Sequence, residues 1–507
     1  MRFYIFTILL IVTQSIYGQG GFKRQFKLPY SLNNTTKNVF ETTPGNYLVC
    51  GIVVDTLNGF QTNRLAIMGL NSQGQLQWVK KYGNYKFEYL DNSLIAKWFY
   101  KEGNFIYHAG CVRDSNNKYI GVFIKFNFNG DTIWQKRFYD LSNYVIPQMV
   151  TGSVDNGFLI TGMFEDPINP NRTVLLIKTD INGNELWRKK IPKAIPNLHD
   201  AKVILQDSVT KKIITAGYQY VGNASSYTGY PSILILDSLG NKLSQHSYTG
   251  PGLFTDLIQT KDKKFIAVGA EKQSLMVGAL ETYKSFAVKF DINTPYSPLW
   301  YLSHDKTTPS NAFNTVSLTK NNDVLIGGTL DTMLLYNSPS VNLNRITRVN
   351  KDGFVVTDRY YNYNPFPINQ SYYMSPMSLN LTSDGGYISA LQISNQTPNP
   401  YFIVKYDSTL CDSSVFYCQT VGLEELKSNN YKLKIYPNPA KDVLNIASEE
   451  LLAIETTTIK ITDVLGRSVL ELQGSQQINI KELKNGIYFL QLYNKEKLIA
   501  VEKVIKE

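Results

Sequence analysis

The chain has 507 residues, with 51 Lys and Arg against 41 Asp and Glu, a formal charge of +10. Its 34 Tyr, plentiful Asn and Thr, and lack of long Ala/Leu/Glu runs mark a β-rich, extracellular style of composition and argue against a helical protein. The positive charge is spread along the chain with no dense basic run, so nucleic acid is not an expected partner. The four His show no ligand spacing, so no metal site is expected.

In chain order, the first element is an export signal. Arg2 supplies a positive start, Phe3–Val12 a short apolar stretch, and Thr13-Gln14-Ser15 a polar end, with cleavage expected after Gly18. That places a signal peptide at 1–18. No other apolar run approaches the about 20 residues that span a bilayer, so no transmembrane anchoring is expected once the signal is removed.

A repeat follows. An apolar strand ending in Gly recurs at Tyr47–Gly51, Ile106–Gly110, Phe158–Gly162, Ile213–Gly217, Phe265–Gly269 and Val324–Gly328, and a seventh copy, Tyr387–Leu391, lacks the Gly. A second strand comes after each copy, then a turn such as Asp180-Ile181-Asn182-Gly183, then an outer strand such as Glu185-Leu186-Trp187. Asn-Gly and Asp-Gly between alternating strands signal hairpins, because Gly accepts the positive φ of the turn. The Trp four residues after the turn Gly is expected to lock its strand onto the next sheet. A unit of this length with four strands fits one propeller blade.

Seven copies predict a seven-bladed β-propeller over 19–418. The last blade lacks an outer strand, and Phe22-Lys23-Arg24-Gln25-Phe26 matches Trp134-Gln135-Lys136-Arg137-Phe138, so an N-terminal strand is expected to close the last blade and the ring. The repeat resembles those of the pyrroloquinoline-quinone-like superfamily. That resemblance concerns the scaffold; the adjacent cysteines and calcium cluster by which such enzymes dock a quinone have no match in this sequence, so no cofactor is expected. The Asn127–Asp131 and Asp180–Asn184 runs echo calcium loops but lack the later bidentate Glu, and are read as hairpin turns.

Between the second and third strands of the later blades the connections lengthen, at Tyr218–Pro231, Ala270–Lys284, Thr329–Asn344 and Gln392–Pro400, and are read as loops. The link Arg359–Met377 is rich in Tyr and Asn. Such mixtures suit binding, since aromatic faces offer rigid area and amides adapt their hydrogen bonds. The candidate ligand-binding residues are Tyr220, Tyr227, Tyr230, Tyr283, Tyr336, Tyr361, Tyr363 and Tyr372. No catalytic residue is assigned. Cys411 and Cys418 are disulfide candidates that would clasp the exit of the propeller. Cys50 and Cys111 either bridge neighbouring blades or remain two buried thiols.

After a linker at 419–432, residues 433–507 alternate apolar and polar residues in short runs, as a small Ig-like β-sandwich requires. The runs Lys434-Ile-Tyr-Pro437-Asn438-Pro439-Ala440, Ile461-Thr-Asp-Val-Leu-Gly466-Arg467 and Leu483-Lys-Asn-Gly486-Ile-Tyr488-Phe489 resemble, in order and spacing, the type A C-terminal sorting domain of the type IX secretion (Por) system of Bacteroidetes. The resemblance implies export across the outer membrane, with the type IX machinery and its sortase as partners and a secreted or cell-surface location. Pro437, Asn438, Pro439, Gly466, Gly486 and Tyr488 are its motif residues.

The expected activity is non-catalytic binding of an extracellular glycan, peptide or protein by a monomer, through long loops on one face. A polysaccharide hydrolase or lyase with carboxylates at the propeller funnel, or a structural or adhesive envelope component, are the other readings.

Overall fold

The computed structural model describes residues 21–507 except 57–60, 85–86, 90–96, 167–171, 192–197, 224–225, 278–279, 304–310, 332–341, 364–372, 395–398, 413–433, 448–456, 464–467, 476 and 495–496. The described residues are all β and form two units, residues 1–414 and 415–507. The signal peptide and linker lie outside them, and among them no helix is long and apolar enough to cross a membrane.

The first unit is a ring of seven antiparallel sheets. Blade one comprises Ser31–Thr43, Asn46–Asp55, Thr62–Leu70 and Leu76–Tyr82, from the axis outward. In blade two the inner strand is split into Phe87–Tyr89 and Phe99–Glu102, which pair with successive parts of Phe105–Asp114. Blade four runs Leu198–Gln206, Ile213–Asn223, Ser226–Leu236 and Lys242–Ser247, and blade five Gly252–Gln259, Phe265–Val277, Leu280–Phe290 and Trp300–Ser303. In blade seven, Tyr373–Leu381, Tyr387–Ser394 and Tyr401–Tyr406 are completed by Phe22–Phe26, with Phe22 opposite Lys405 and Phe26 opposite Tyr401. The N-terminal strand thus closes the ring, as its sequence match predicted.

Two repeated devices hold blade to blade. At the rim, the Asx residue opening each turn folds it: Asp180 Oδ1 accepts from the backbone N–H of Asn182 and Asn184, and Asn71, Asn127, Asp237, Asn350 and Asp407 do the same in their blades. Gly183 there has φ +76°, and a Cβ on it would fall 2.6 Å from the Trp134 ring of the preceding blade. Trp78, Trp187 and Trp300 sit in the same way against the turn glycines of the next blades, and Phe22 takes this part where blade seven meets blade one. Two residues after the Trp, Lys136 and Lys189 reach Asn184 and Asn241 of the following turn, at 2.9 and 3.1 Å.

At the axis, six inner strands carry a β-bulge at the equivalent place, on Lys37, Gln148, Lys202, Thr255, Asn314 and Met377. The repeated Gly faces it. Gly217 pairs with Ala201 just before the Lys202 bulge, where a Cβ would come 1.8 Å from the Asp200 carbonyl oxygen; Gly51, Gly162, Gly269 and Gly328 are similarly blocked by backbone oxygens. A bulge redirects side chains along an edge strand, and in four of these strands the residue after it reaches the next blade. Asn38 Oδ1 accepts from Phe99 N–H at 3.2 Å, Asp256 Oδ2 from Val316 N–H at 2.9 Å and Ser378 Oγ from Val39 N–H at 3.2 Å, while Met149 offers its sulfur to Ile204 N–H. Four inner-edge N–H groups around the channel are thereby satisfied. By the same register Lys97 holds the bulge position of blade two.

The second unit packs a three-stranded sheet (Lys434–Tyr436, Val443–Ala447, Gln477–Asn479) against a four-stranded one (Ser468–Gln473, Thr457–Asp463, Gly486–Asn494, Lys497–Lys506). Leu444, Ile446, Ile459, Ile461, Leu490 and Val504 fill the space between.

Candidate functional site

Two concave regions of the propeller gather chemistry. The first is the axial channel, where a cavity of about 530 Å³ is lined by every inner strand. Lys97 of blade two meets Asp256 of blade five at 2.7 Å. Blades two and five stand as far apart in a seven-membered ring as two blades can, so this ion pair spans the channel. Asp256 is 1 % exposed, and its oxygens also accept from the N–H of Leu257 and Val316 and from the Thr315 hydroxyl. A carboxylate so fully engaged acts as a structural group.

The second region is a cleft between blades four and five. The lengthened connections of these blades are not loops but extensions of the sheets. Ile213–Asn223 pairs with Ser226–Leu236 up to Asn223 opposite Ser226, and Phe265–Val277 with Leu280–Phe290 up to Val277 opposite Leu280. In blade four the pairing runs on without interruption, whereas in blade five it shifts register between Lys272 and Met276. Between the two hairpins lies a pocket of about 270 Å³, walled by Tyr218 and Tyr283 and edged by Thr228, Lys272, Pro251 and Gly252. Lys272 and Tyr283 stand opposite each other on one hairpin.

Tyr218 is held firmly. Its hydroxyl lies 3.1 Å from that of Tyr220, the two rings meet edge to face at 4.8 Å, and the Lys202 ammonium stands 5.4 Å from the Tyr218 ring centre while pairing with Asp200 at 3.2 Å. Burial, with Asp200 beside it, pushes the Tyr218 phenol far above its ordinary value of 10.0, so the hydroxyl keeps its proton and acts as a donor. Tyr218 and Lys272 escaped sequence reasoning; the period-two run Tyr218, Tyr220 beyond Gly217 was the signal that could have found the first.

The structure divides the predicted tyrosines. Tyr220, Tyr230 and Tyr283 are half-buried on the two hairpins. The side chain of Tyr227, and Tyr336 and Tyr372 entirely, lie outside the described residues. Tyr361 and Tyr363 are 7 % and 6 % exposed and pack with Leu391, Phe402 and Tyr406. Tyr361 donates to the Leu410 carbonyl, and Tyr363 to the Tyr406 hydroxyl at 3.3 Å. They are core residues: Tyr361 stands on its outer strand where Tyr82 stands in blade one, and its hydroxyl reaches the following turn in the same way, Tyr82 donating to the Gly130 carbonyl. They leave the ligand set.

Cys50 and Cys111 are separate buried thiols, so no bridge joins their blades, and burial raises both above the ordinary thiol range. Cys411 is buried; Cys418 lies outside the described residues. His108 is structural: it is fully buried among Tyr89, Trp98 and Phe99, with Nδ1 3.3 Å from the Trp98 carbonyl oxygen. Burial lowers its pKa from 6.5 to about 3. The unfolded chain therefore binds a proton that the folded one refuses, so stability should fall as pH drops from 6.5 toward 3, by about 1.4 kcal/mol per unit. Urea unfolding across that range should show a shallower slope in His108→Gln than in the parent.

In the second unit, motifs spread over the sequence meet at one end. Asp463 stands opposite Tyr488, Gly486 opposite Lys506, and Lys506 bridges to Ala440. The exposed Asn438 donates its amide to Lys503 O at 2.6 Å and accepts from Ile505 N–H at 2.8 Å, tying the Pro437–Pro439 segment to the last strand. Tyr488 is buried and donates to Lys484 O at 2.8 Å; Gly466 is outside the described residues. Asn438→Ala should cost the sorting unit about 1 kcal/mol, seen as faster hydrogen exchange at the Ile505 amide.

Comparison with known proteins agrees with this division. Residues 434–507 match the family described as the secretion system C-terminal sorting domain. No curated protein matches the chain. Among solved structures, the β-propeller domain of the Trilobed protease from Pyrococcus furiosus is similar, at 8% identity over 77% of this chain and 100% of that one, with a TM-score of 0.41. An ulvan lyase, a polysaccharide lyase, gives 11% identity, 75% and 95% coverage and a TM-score of 0.44. A protein of Bacteroides caccae gives 12%, 57% and 87%, and 0.31. These likenesses concern the fold, which the closed ring of sheets establishes by itself. The chain is a type IX secretion substrate, a β-propeller carried to the cell surface or the medium by its C-terminal sorting domain.

Proposed function

We propose that the exported propeller is a non-catalytic binding module that takes an extracellular glycan in the cleft between the hairpins of blades four and five. The observation that carries this reading is the pair of half-buried rings, Tyr218 and Tyr283, facing one concavity on two sheet extensions. Sugar rings present apolar C–H faces to aromatic walls and hydroxyls to polar edges, and Thr228 and Lys272 supply such an edge. The Tyr218–Tyr220–Asp200–Lys202 contacts fix the wall before the ligand arrives, which reduces the ordering cost of binding.

The test is a glycan array followed by titration of the best ligand against Tyr218→Ala and Tyr283→Ala. Each substitution is expected to weaken binding about tenfold or more, as loss of a central aromatic anchor does. Retention of full affinity in both would reject the cleft. A polysaccharide lyase is the second reading, because Lys202, Asp200 and Tyr218 are bonded in series at the cleft's edge; release of unsaturated products from the array ligand, lost in Tyr218→Phe, would favour it.

A further inference from the structure

We infer that the outer wall of blades seven, one, two and three is a second binding surface, separate from the cleft, and that it takes a linear acidic polysaccharide. Positive charge that the sequence spreads along the chain is gathered by the fold on one arc of the rim. The outer strands of these four consecutive blades, Phe22–Phe26, Leu76–Tyr82, Thr132–Phe138 and Glu185–Ile191, carry nine Lys and Arg against one acid, Glu185. The outer strands of blades four, five and six, Lys242–Ser247, Trp300–Ser303 and Val355–Tyr361, carry Lys242 and Arg359 against Asp358. All nine cations of the arc are exposed or half-buried.

The arc is ordered in register. Two residues beyond the rim Trp, or beyond Phe22 in blade seven, stand Arg24, Lys80, Lys136 and Lys189, one per blade. Arg24 donates to the Gln73 carbonyl oxygen at 2.7 Å, Lys136 to Asn184 Oδ1 at 2.9 Å and Lys189 to Asn241 Oδ1 at 3.1 Å. These neutral oxygens hold the cations in a row without neutralising them. Elsewhere acids answer the charge. Lys81 meets the buried Asp55, while Lys80, Arg188 and Lys190 meet Asp131, Glu185 and Asp140 in partly exposed pairs, which are weak in water. Carboxylate or sulfate groups of a polyanion offer these cations the same charge-assisted contact. A cation repeated once per blade matches a chain whose own charge repeats along its length. The arc covers four of the seven blades on the convex wall of the ring; a flat membrane is tangent to such a wall at one place, whereas a flexible chain follows it. Nucleic acid is disfavoured because bases need open aromatic faces to stack on, and the Trp78, Trp134 and Trp187 rings of this arc lie on turn glycines.

Fluorescence anisotropy of the full chain with labelled heparin oligosaccharide, dextran and single-stranded DNA, with flotation on phosphatidylglycerol vesicles, separates the partners. Heparin should bind, more weakly as salt rises, and dextran should not. Arg24→Gln/Lys136→Gln/Lys189→Gln should weaken heparin about tenfold. The three cations rest on neutral oxygens, so the fold should survive, which urea unfolding checks; Lys136→Gln and Lys189→Gln singly should each show part of the loss. The control Lys242→Gln/Lys261→Gln/Lys351→Gln removes the same charge from exposed lysines of blades four to six. It should change heparin affinity less than about twofold, since charges beyond a Debye length are screened. Tyr218→Ala should leave heparin binding unchanged, so the rim and the cleft stand or fall independently. Equal losses in the arc and control variants, unchanged affinity in the arc variants, heparin binding no tighter than dextran, or tighter binding of the DNA or the vesicles that is lost in the arc variant would each overturn the site.

Discussion

Gly217→Ala is expected to destabilise the propeller by about 3 kcal/mol, the upper end for overpacking in a close-packed interior. The added methyl would come 1.8 Å from the Asp200 carbonyl oxygen, 2.9 Å from its carbon and 3.1 Å from the Lys202 nitrogen. All three are backbone atoms, so no rotamer change relieves the clash and the bulged inner strand must move. Blade seven shows that the position does not demand Gly in general: Leu391 occupies it opposite Pro376 and is buried in the neighbouring core. The demand comes from how closely the bulge approaches in blade four. Because Asp200 and Lys202 hold Tyr218, the same substitution should weaken ligand binding at the cleft. Urea unfolding followed by tryptophan fluorescence measures the first effect; a change within about 0.5 kcal/mol, the size of an ordinary surface effect, would mean the bulge gives way easily.

Lys97→Met should cost about 1–3 kcal/mol, because it leaves the buried Asp256 carboxylate without its counter-charge, an effect reduced by the partial exposure of Lys97 itself. Asp256 would keep its backbone and hydroxyl donors but lose the only charge that reaches it across the channel among the described residues. Lys97→Met/Asp256→Asn should recover most of the loss, since the asparagine oxygen can still accept from Val316 N–H and no charge is left uncompensated. A double-mutant cycle by urea unfolding reads the coupling directly. Additive losses would show that the pair does not interact as an ion pair across the axis.

Much of the scaffold is legible in the sequence because its devices are local or periodic. The turn glycines, the rim tryptophans and the strand that begins at Phe22 each announce one contact, and the structure places Trp134 on Gly183 and Phe22 on Gly74. The repeated inner glycine was visible as a signal, but its cause was not, because the bulge opposite it is an interruption of pairing that leaves no residue signature. Buried cations were hidden for a related reason. Lys178, Lys289 and Lys405 alternate with apolar neighbours as solvent-facing residues would, yet each is nearly buried against Asp155, Asp262 or Asp384 at the turn of its own blade. Composition misled at Tyr361 and Tyr363: a Tyr- and Asn-rich stretch reads as a binding loop, but these rings pack into the core between blades six and seven. The cleft itself was half visible, in Tyr220, Tyr230 and Tyr283; Tyr218 and Lys272 required the register of the hairpins.

The decisive experiment is a crystal structure of the propeller with the glycan selected by the array. A sugar ring is expected between Tyr218 and Tyr283, with its polar edge toward Thr228 and Lys272. A glycan bound on another face, with this cleft empty, would contradict it.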